Sequence, residues 1–388
     1  MKSLLKFPLL VAVATMMSCS FSACSDNDDP TPDTGTSETD AKFEAIAKQY
    51  LDHTVYVTYK NLADETEQLV KDLQALKSSK TDANVKATCE TFLEARAWWE
   101  KSEAFLYGAA TDFGIDPHID SWPLDLDGLQ TALKNTEQVE AMGGEDGDIY
   151  AGEKLGFHGI EYILFEDGSP KSVSKISDLH LTYAVAVAGD LRNRCWQLEL
   201  SWRGESAVNA DRVAKVANEL ELPYTVNSGE YSYGENMLNA GKAGSTYASW
   251  TLAMQAIIDG CKTIADEVGT SKIGKPYSGE DPAYIESPYS HKSILDFYDN
   301  IISIQNAYMG GIENERDETN SLHNYIAGVD KELDTKVVNA INNALTKINA
   351  MAAPFVNNIK DPSAGEAIKA CQDLDAILSD VKTALRNN

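Results

Sequence analysis

The chain is 388 residues long, 43% hydrophobic and 24% charged, with a formal net charge of -27 from 33 Lys plus Arg against 60 Asp plus Glu. This composition excludes collagen-like and low-complexity chains, and the length supplies apolar material for two cores instead of one small stapled module. A surface so acidic repels phosphate backbones, which excludes nucleic acid as a partner, while the charge by itself names no ligand.

The first segment, MKSLLKFPLLVAVATMMSCSFSAC, sets Lys2 and Lys6 before an apolar run from Phe7 to Met17 and ends on small residues and a cysteine. The run is too short for a stable transmembrane helix and reads as a signal peptide over residues 1–23. Ser22-Ala23-Cys24 resembles the lipobox of bacterial lipoproteins, with Phe21 where Leu is usual. Cys24 is therefore the expected lipidation site, with Cys19 as the alternative, and a lipid anchor is the expected link to the membrane. Residues 25–40 hold six acids, no base, two prolines and no large apolar side chain, so 24–40 reads as a disordered tether. Its acidic start resembles the surface-export signals of outer-membrane lipoproteins, so the body is expected in the cell envelope, facing the periplasm or the cell surface.

From Asp40 the apolar spacing predicts helix: Phe43, Ile46, Tyr50, Val57, Leu62, Leu69, Leu73 and Leu76. The period recurs in 85–107, 181–202 and 243–266. It is cleanest as Leu333, Val337, Ile341, Leu345 and Ile348, then Ile368, Cys371, Leu374, Leu378, Val381 and Leu385, which predicts a helical pair. The β-formers at 56–59 and 184–187 are embedded in longer helical periods. The fold class expected is all-α, in two bundles of long antiparallel helices covering 41–204 and 205–388. Segments 111–128, 139–150 and 267–288 are Gly-, Pro- or acid-rich and read as loops. Cys89, Cys195, Cys261 and Cys371 are far apart, with no CxxC pair, and read as buried thiols more readily than disulfides.

Chemistry concentrates in Gly156-Phe157-His158-Gly159-Ile160-Glu161, where His158 and Glu161 share one helix face. Three residues apart, an imidazole and a carboxylate can hold one metal ion or simply hydrogen-bond each other. The two glycines point to a close approach of something to the backbone.

This GxHxxE segment resembles the signature of the imelysin-like proteins, envelope proteins classed with metallopeptidases and related to bacterial iron-uptake lipoproteins. The resemblance extends to Ala95-Arg96 and Ser102 to Phe105, to Trp122-Pro123-Leu124-Asp125, and to Glu286 through Ser290 followed by Asp296, Asn300, Gln305-Asn306 and Tyr308-Met309-Gly310. It covers nearly all of 41–388, with Trp98-Trp99 where tyrosine is common in the family. It implies an all-α fold with GxHxxE near a cleft and a role in metal or haem-iron handling with envelope iron-uptake partners. A metallopeptidase is the alternative.

The expected ligand set is His158 and Glu161, with Glu103 from a neighbouring helix and Asp125 as a further group. One imidazole with carboxylates suits iron or manganese, and zinc also fits. A peptidase built on these residues would need a general base from elsewhere, and Glu103 is the candidate, since the chain has no His-Glu pair of the H-E-x-x-H kind. Competing structural roles are a partnership of Glu103 with Arg96 and a helix cap at Asp125. Glu286, Ser290 and Asp296 also read as capping residues, His53 as a core histidine, and His118, His180, His291 and His323 as exposed. There is no G-x-S-x-G and no dinucleotide glycine motif, and Pro276 spoils the Walker-like spacing of Gly269 to Lys275.

Overall fold

A helix with an apolar residue at every third or fourth position needs neighbours to cover that stripe, and the helices of this chain do so in two groups. The structure is a computed structural model and describes residues 37–146 and 155–387, so Cys24, the lipobox and the expected tether up to residue 36 lie outside the described residues, while the last residues of that tether, 38–40, are helical because Ser37 caps a helix that starts at Glu38. The described residues open with α1 (Glu38–Tyr50), which packs on the second group, and the first group comprises α2 (Tyr56–Ser78), α3 (Asp82–Glu100), α4 (Gly156–Leu164) and α5 (Asp178–Arg203). In it, α2 packs on both α3 and α5, and α4 packs on α5. The second comprises α6 (Trp250–Glu267), α7 (Ser293–Met309), α8 (Leu322–Val329), α9 (Lys331–Asn349) and α10 (Pro362–Asn387), with α10 against α6 and α9.

Gly204, at φ 75°, ends α5 where the chain passes from one group to the other. Contacts of α3 on α7 join the groups, α1 lies on α6, and one apolar core runs through both.

Local sequence explains the helix starts. Ser37 and Thr81 accept from the backbone N–H three residues on, and Ser177 with His180 forms a reciprocal capping box before α5. The stripe of α2 departs from its expected phase. A π-helical turn, Leu51–Val55, precedes α2 and adds a residue to the turn, so Val55 and Tyr59 are buried where Val57 was expected.

Segment 267–288 also departs from expectation, because α6 runs on through a π-helical turn, Val268–Lys272, into a short helix, Gly274–Ser278. Gly269 serves packing there, since a Cβ on it would lie 3.2 Å from Cβ of Cys371 on α10. Residues 56–59 and 184–187 are helical, as their setting predicts. Among the described residues the strands are β1 (Phe165–Glu166) and β2 (Ser169–Pro170), a short antiparallel pair directly after α4. The four cysteines outside the signal region are free and buried, and burial raises their thiols, to about 12 for Cys89, Cys261 and Cys371.

Candidate functional site

Helix α3 turns Arg96 and, one turn later, Glu100 onto its buried face. The Arg96 side chain is 3% exposed, and its Nη2 lies 2.5 Å from Glu100 Oε1 and 2.6 Å from Glu286 Oε1. Its Nη1 pairs with Asp120 Oδ1, and Asp120 Oδ2 accepts from Trp99 Nε1 at 2.9 Å. One carboxylate oxygen from each of Glu100, Asp120 and Glu286 thus lies within 4.8 Å of the others. Lys272, carried by the π-helical turn, donates to Glu286 Oε1 at 3.1 Å and stands 3.6 Å from both Glu100 Oε2 and Glu103 Oε1. Asn300 of α7 donates to Glu100 Oε2 at 2.6 Å.

The GxHxxE helix docks beside this cluster. Gly156 has φ 63°, and a Cβ on it would sit 2.1 Å from the Ile119 carbonyl oxygen, so only glycine lets α4 start against the 116–120 turn. His158 is buried with Nε2 2.7 Å from Asp120 Oδ1, under the Trp122 ring at 4.4 Å between centroids. Its Nδ1 is 3.9 Å from Glu161 Oε2. Glu161 Oε1 accepts from the Tyr289 and Ser290 N–H groups, at 3.2 and 2.7 Å, and from Ser290 Oγ at 2.7 Å.

His158 and Glu161 therefore do lie together, as their spacing predicts. Glu103 faces Lys272, and Arg96 takes Glu100, Asp120 and Glu286, so the competing Glu103–Arg96 partnership does not form. Asp125 caps the helix Leu126–Ala132 by accepting from Gly128 N–H at 2.9 Å.

Other expectations are corrected. Glu286, Ser290 and Asp296 are buried in this region; α7 starts at Ser293, with Lys292 at its cap position and Ser290 turned to Glu161 instead. His118 is largely buried and pairs with Asp190 at 2.8 Å, because the turn that carries it packs on α5. His323 lies 2.7 Å from Asp334, and His53 is 40% exposed beside Glu315.

A cavity of about 260 Å³ opens next to the cluster, and Glu103, Asp116, Asp120, Glu267, Glu286 and Lys272 line it, with Trp122 and Tyr284 as aromatic walls. Burial pushes Glu286 up to about 7 despite Lys272 and Arg96, with Glu100 adding to the rise. Burial and the neighbouring Asp120 carry Asp116 to about 7 as well. Burial also holds Glu103 and Asp296 well above the usual carboxylate range. Asp120 goes the other way: burial opposes its charge, but Arg96 and His158 outweigh burial and hold it well below. His158 is raised in turn, because Asp120 outweighs its burial. Glu286 Oε2, Asp296 Oδ2 and Glu161 Oε2 are buried without a hydrogen-bond partner. Negative charge here exceeds what Arg96, Lys272 and His158 neutralise, a perturbation of the kind that gathers at functional sites.

Sequence reasoning missed Glu100, Asp120 and Lys272. The available signal was Arg96 and Glu100 at i,i+4 on the apolar face of a helix, where unpaired charge is too costly to bury.

An all-helical protein whose buried arginine gathers three carboxylates beside an acid-lined cavity is the class these features define. The chain belongs to the imelysin family, whose peptidase-family profile matches residues 55–381. It is 27% identical over 331 residues to iron-regulated protein A of Synechococcus elongatus, covering 85% of this chain and 82% of that protein. A crystal structure of an iron-regulated protein A precursor from Parabacteroides distasonis matches with a TM-score of 0.76 at 26% identity, over 91% of this chain and 97% of that one. An imelysin-like protein from Psychrobacter arcticum shares the fold, with a TM-score of 0.57 at 11% identity over 89% and 95% of the two chains. No helix among the described residues is long and apolar enough to cross a membrane.

Proposed function

We propose that this protein binds a metal ion, iron by preference, in the acid-lined cavity, and serves metal or haem-iron acquisition at the cell envelope. The observation that carries the reading is the charge imbalance of that cavity: five carboxylates line it, Lys272 is the cation among the lining residues, Arg96 pairs with Asp120 and Glu286 and His158 with Asp120 from behind, and Glu286 Oε2 is buried with no hydrogen-bond partner. A cation supplies what such a set lacks. All-oxygen donors suit iron or manganese more than copper(I), and the iron-regulated relatives favour iron. Glu286 and Asp120, two of the three acids whose oxygens lie within 4.8 Å of one another, both line this cavity and would hold the ion. His158 would act behind them by orienting Asp120, as outer partners orient metal ligands. In this reading Cys24 carries the lipid anchor, the body faces the periplasm or the cell surface, and its partners are envelope iron-uptake proteins.

Titration calorimetry with iron, zinc and manganese on the wild type and on Glu286→Gln tests the site. Binding at least tenfold weaker in Glu286→Gln is expected, and equal affinity overturns the assignment. A peptide-cleavage assay on the metal-loaded protein runs beside it: cleavage would make the protein a metallopeptidase of the imelysin type. Replacement of Cys24 by Ala should release the protein from the membrane fraction.

A further inference from the structure

Between the short helix Gly274–Ser278 and α7, the chain crosses the site as loop 286–291. Ser287 and His291 in this loop have φ of 47° and 60°, left-handed conformations that are costly for residues other than glycine. A loop in that state must be tied down from outside. One tie comes from the β1–β2 turn, where Gly168 N–H donates to the Tyr289 carbonyl at 2.9 Å and leaves room for the His291 ring, which a Cβ on Gly168 would meet at 2.7 Å. A second is Ser293 Oγ on the Glu286 carbonyl. The largest is Glu161, whose Oε1 takes all three donors that Tyr289 and Ser290 turn toward it.

An oxygen that already accepts three hydrogen bonds has no lone pair left to offer an ion. The other oxygen of Glu161 is buried without a hydrogen-bond partner, 3.9 Å from His158 Nδ1, and Glu161 is 1% exposed, so it is the first oxygen that ties the loop. We infer that Glu161 is a positioning residue that clamps loop 286–291, so that Glu286 meets Arg96, Lys272 and the cavity. His158 does the same for Asp120 through its 2.7 Å contact. The polar pair of GxHxxE thus holds two acidic arms far apart in sequence, one on the 116–120 turn and one on loop 286–291. The functional consequence rests on the metal-binding reading; the clamp itself does not.

The test measures amide hydrogen exchange at Tyr289 and Ser290 in metal-free protein, then iron affinity by calorimetry, for the full chain and three variants. Glu161→Ala strands two N–H groups and a hydroxyl, so exchange should quicken and affinity should fall, each at least about tenfold. Glu161→Gln keeps an acceptor oxygen for the same donors, so both should stay within about threefold of wild type. A metal ligand predicts the opposite for Gln, since an amide is a poor substitute for a coordinating carboxylate. Ser290→Ala removes one donor and should quicken exchange about fivefold, which keeps the clamp testable if Glu161→Ala does not fold. Gln and Ala losing iron equally, with the 289–290 amides unchanged in both, would make Glu161 a ligand and overturn the inference. If the wild type binds no iron, the metal reading fails by itself. Exchange then still decides: quickening in Glu161→Ala or Ser290→Ala sustains the clamp, and unchanged exchange in both overturns it.

Discussion

Arg96 and Arg212 each gather three carboxylates, yet their surroundings differ in charge balance. Arg212 lies 2.5 Å from Asp64, 2.9 Å from Glu67 and 2.7 Å from Glu199. Each of those acids has a second cation of its own: Lys60 on Asp64 at 2.5 Å, Lys71 on Glu67 at 2.7 Å, and Arg203 on Glu199. Burial would raise Asp64 and Glu67, but the paired cations outweigh it and lower both. Around Arg96 the second cation is Lys272, shared among Glu100, Glu103 and Glu286, while Asp116 and Asp296 add charge nearby. There burial wins at Glu286 and Asp296, which rise, whereas Arg96 and His158 hold Asp120 down. An arginine with three acids is therefore a structural brace or a poised site according to how many further cations accompany it and how much water reaches it.

The largest effect expected is that of Arg96→Met, which leaves Glu100, Asp120 and Glu286 buried without their main counter-charge and should cost about 3–5 kcal/mol in urea denaturation, or prevent folding. Gly156→Ala should come next, at about 2–3 kcal/mol, because it forces both a left-handed alanine and a clash with the Ile119 carbonyl. Arg212→Met should cost only about 1 kcal/mol, since every partner keeps another cation. Equal losses for the two arginine variants would break the comparison.

The smallest effects are in pH dependence, and they have opposite signs. Glu286 and Asp116 bind protons more tightly folded than unfolded, so their contribution is full below the ordinary carboxylate range and is lost as pH rises through about 7. Asp64 and Glu67 bind protons less tightly folded, so their contribution is present above the ordinary range and is lost as pH falls through their lowered values. Thermal melts of metal-free protein from pH 3 to 8 should show both limbs. Glu286→Gln should flatten the one above pH 5, and Arg212→Met the acid one. A wild-type limb above pH 5 that survives unchanged in Glu286→Gln would remove that residue from the imbalance.

Periodicity made the helices legible: Leu62, Leu69, Leu73 and Leu76, or Val337 and Ile341, are buried where their spacing puts them, because an apolar stripe can be satisfied only by burial. The cap at Asp125 is a local hydrogen bond between residues a few positions apart, and such a bond needs no tertiary information. The i,i+3 pairing of His158 with Glu161 follows from helix geometry alone. What their free oxygens and nitrogens meet does not. Asp120 reaches His158 from a turn 38 residues earlier, and Ser290 reaches Glu161 from 129 residues later. The π-helical turns that shift the stripe of α2 and set Lys272 in the site are decided by packing, not by propensity. The charge imbalance around Arg96 also belongs to the tertiary structure. Chain order lists acids and bases, whereas only the fold decides which share a cation, which lose their water and which are left with an oxygen unpaired.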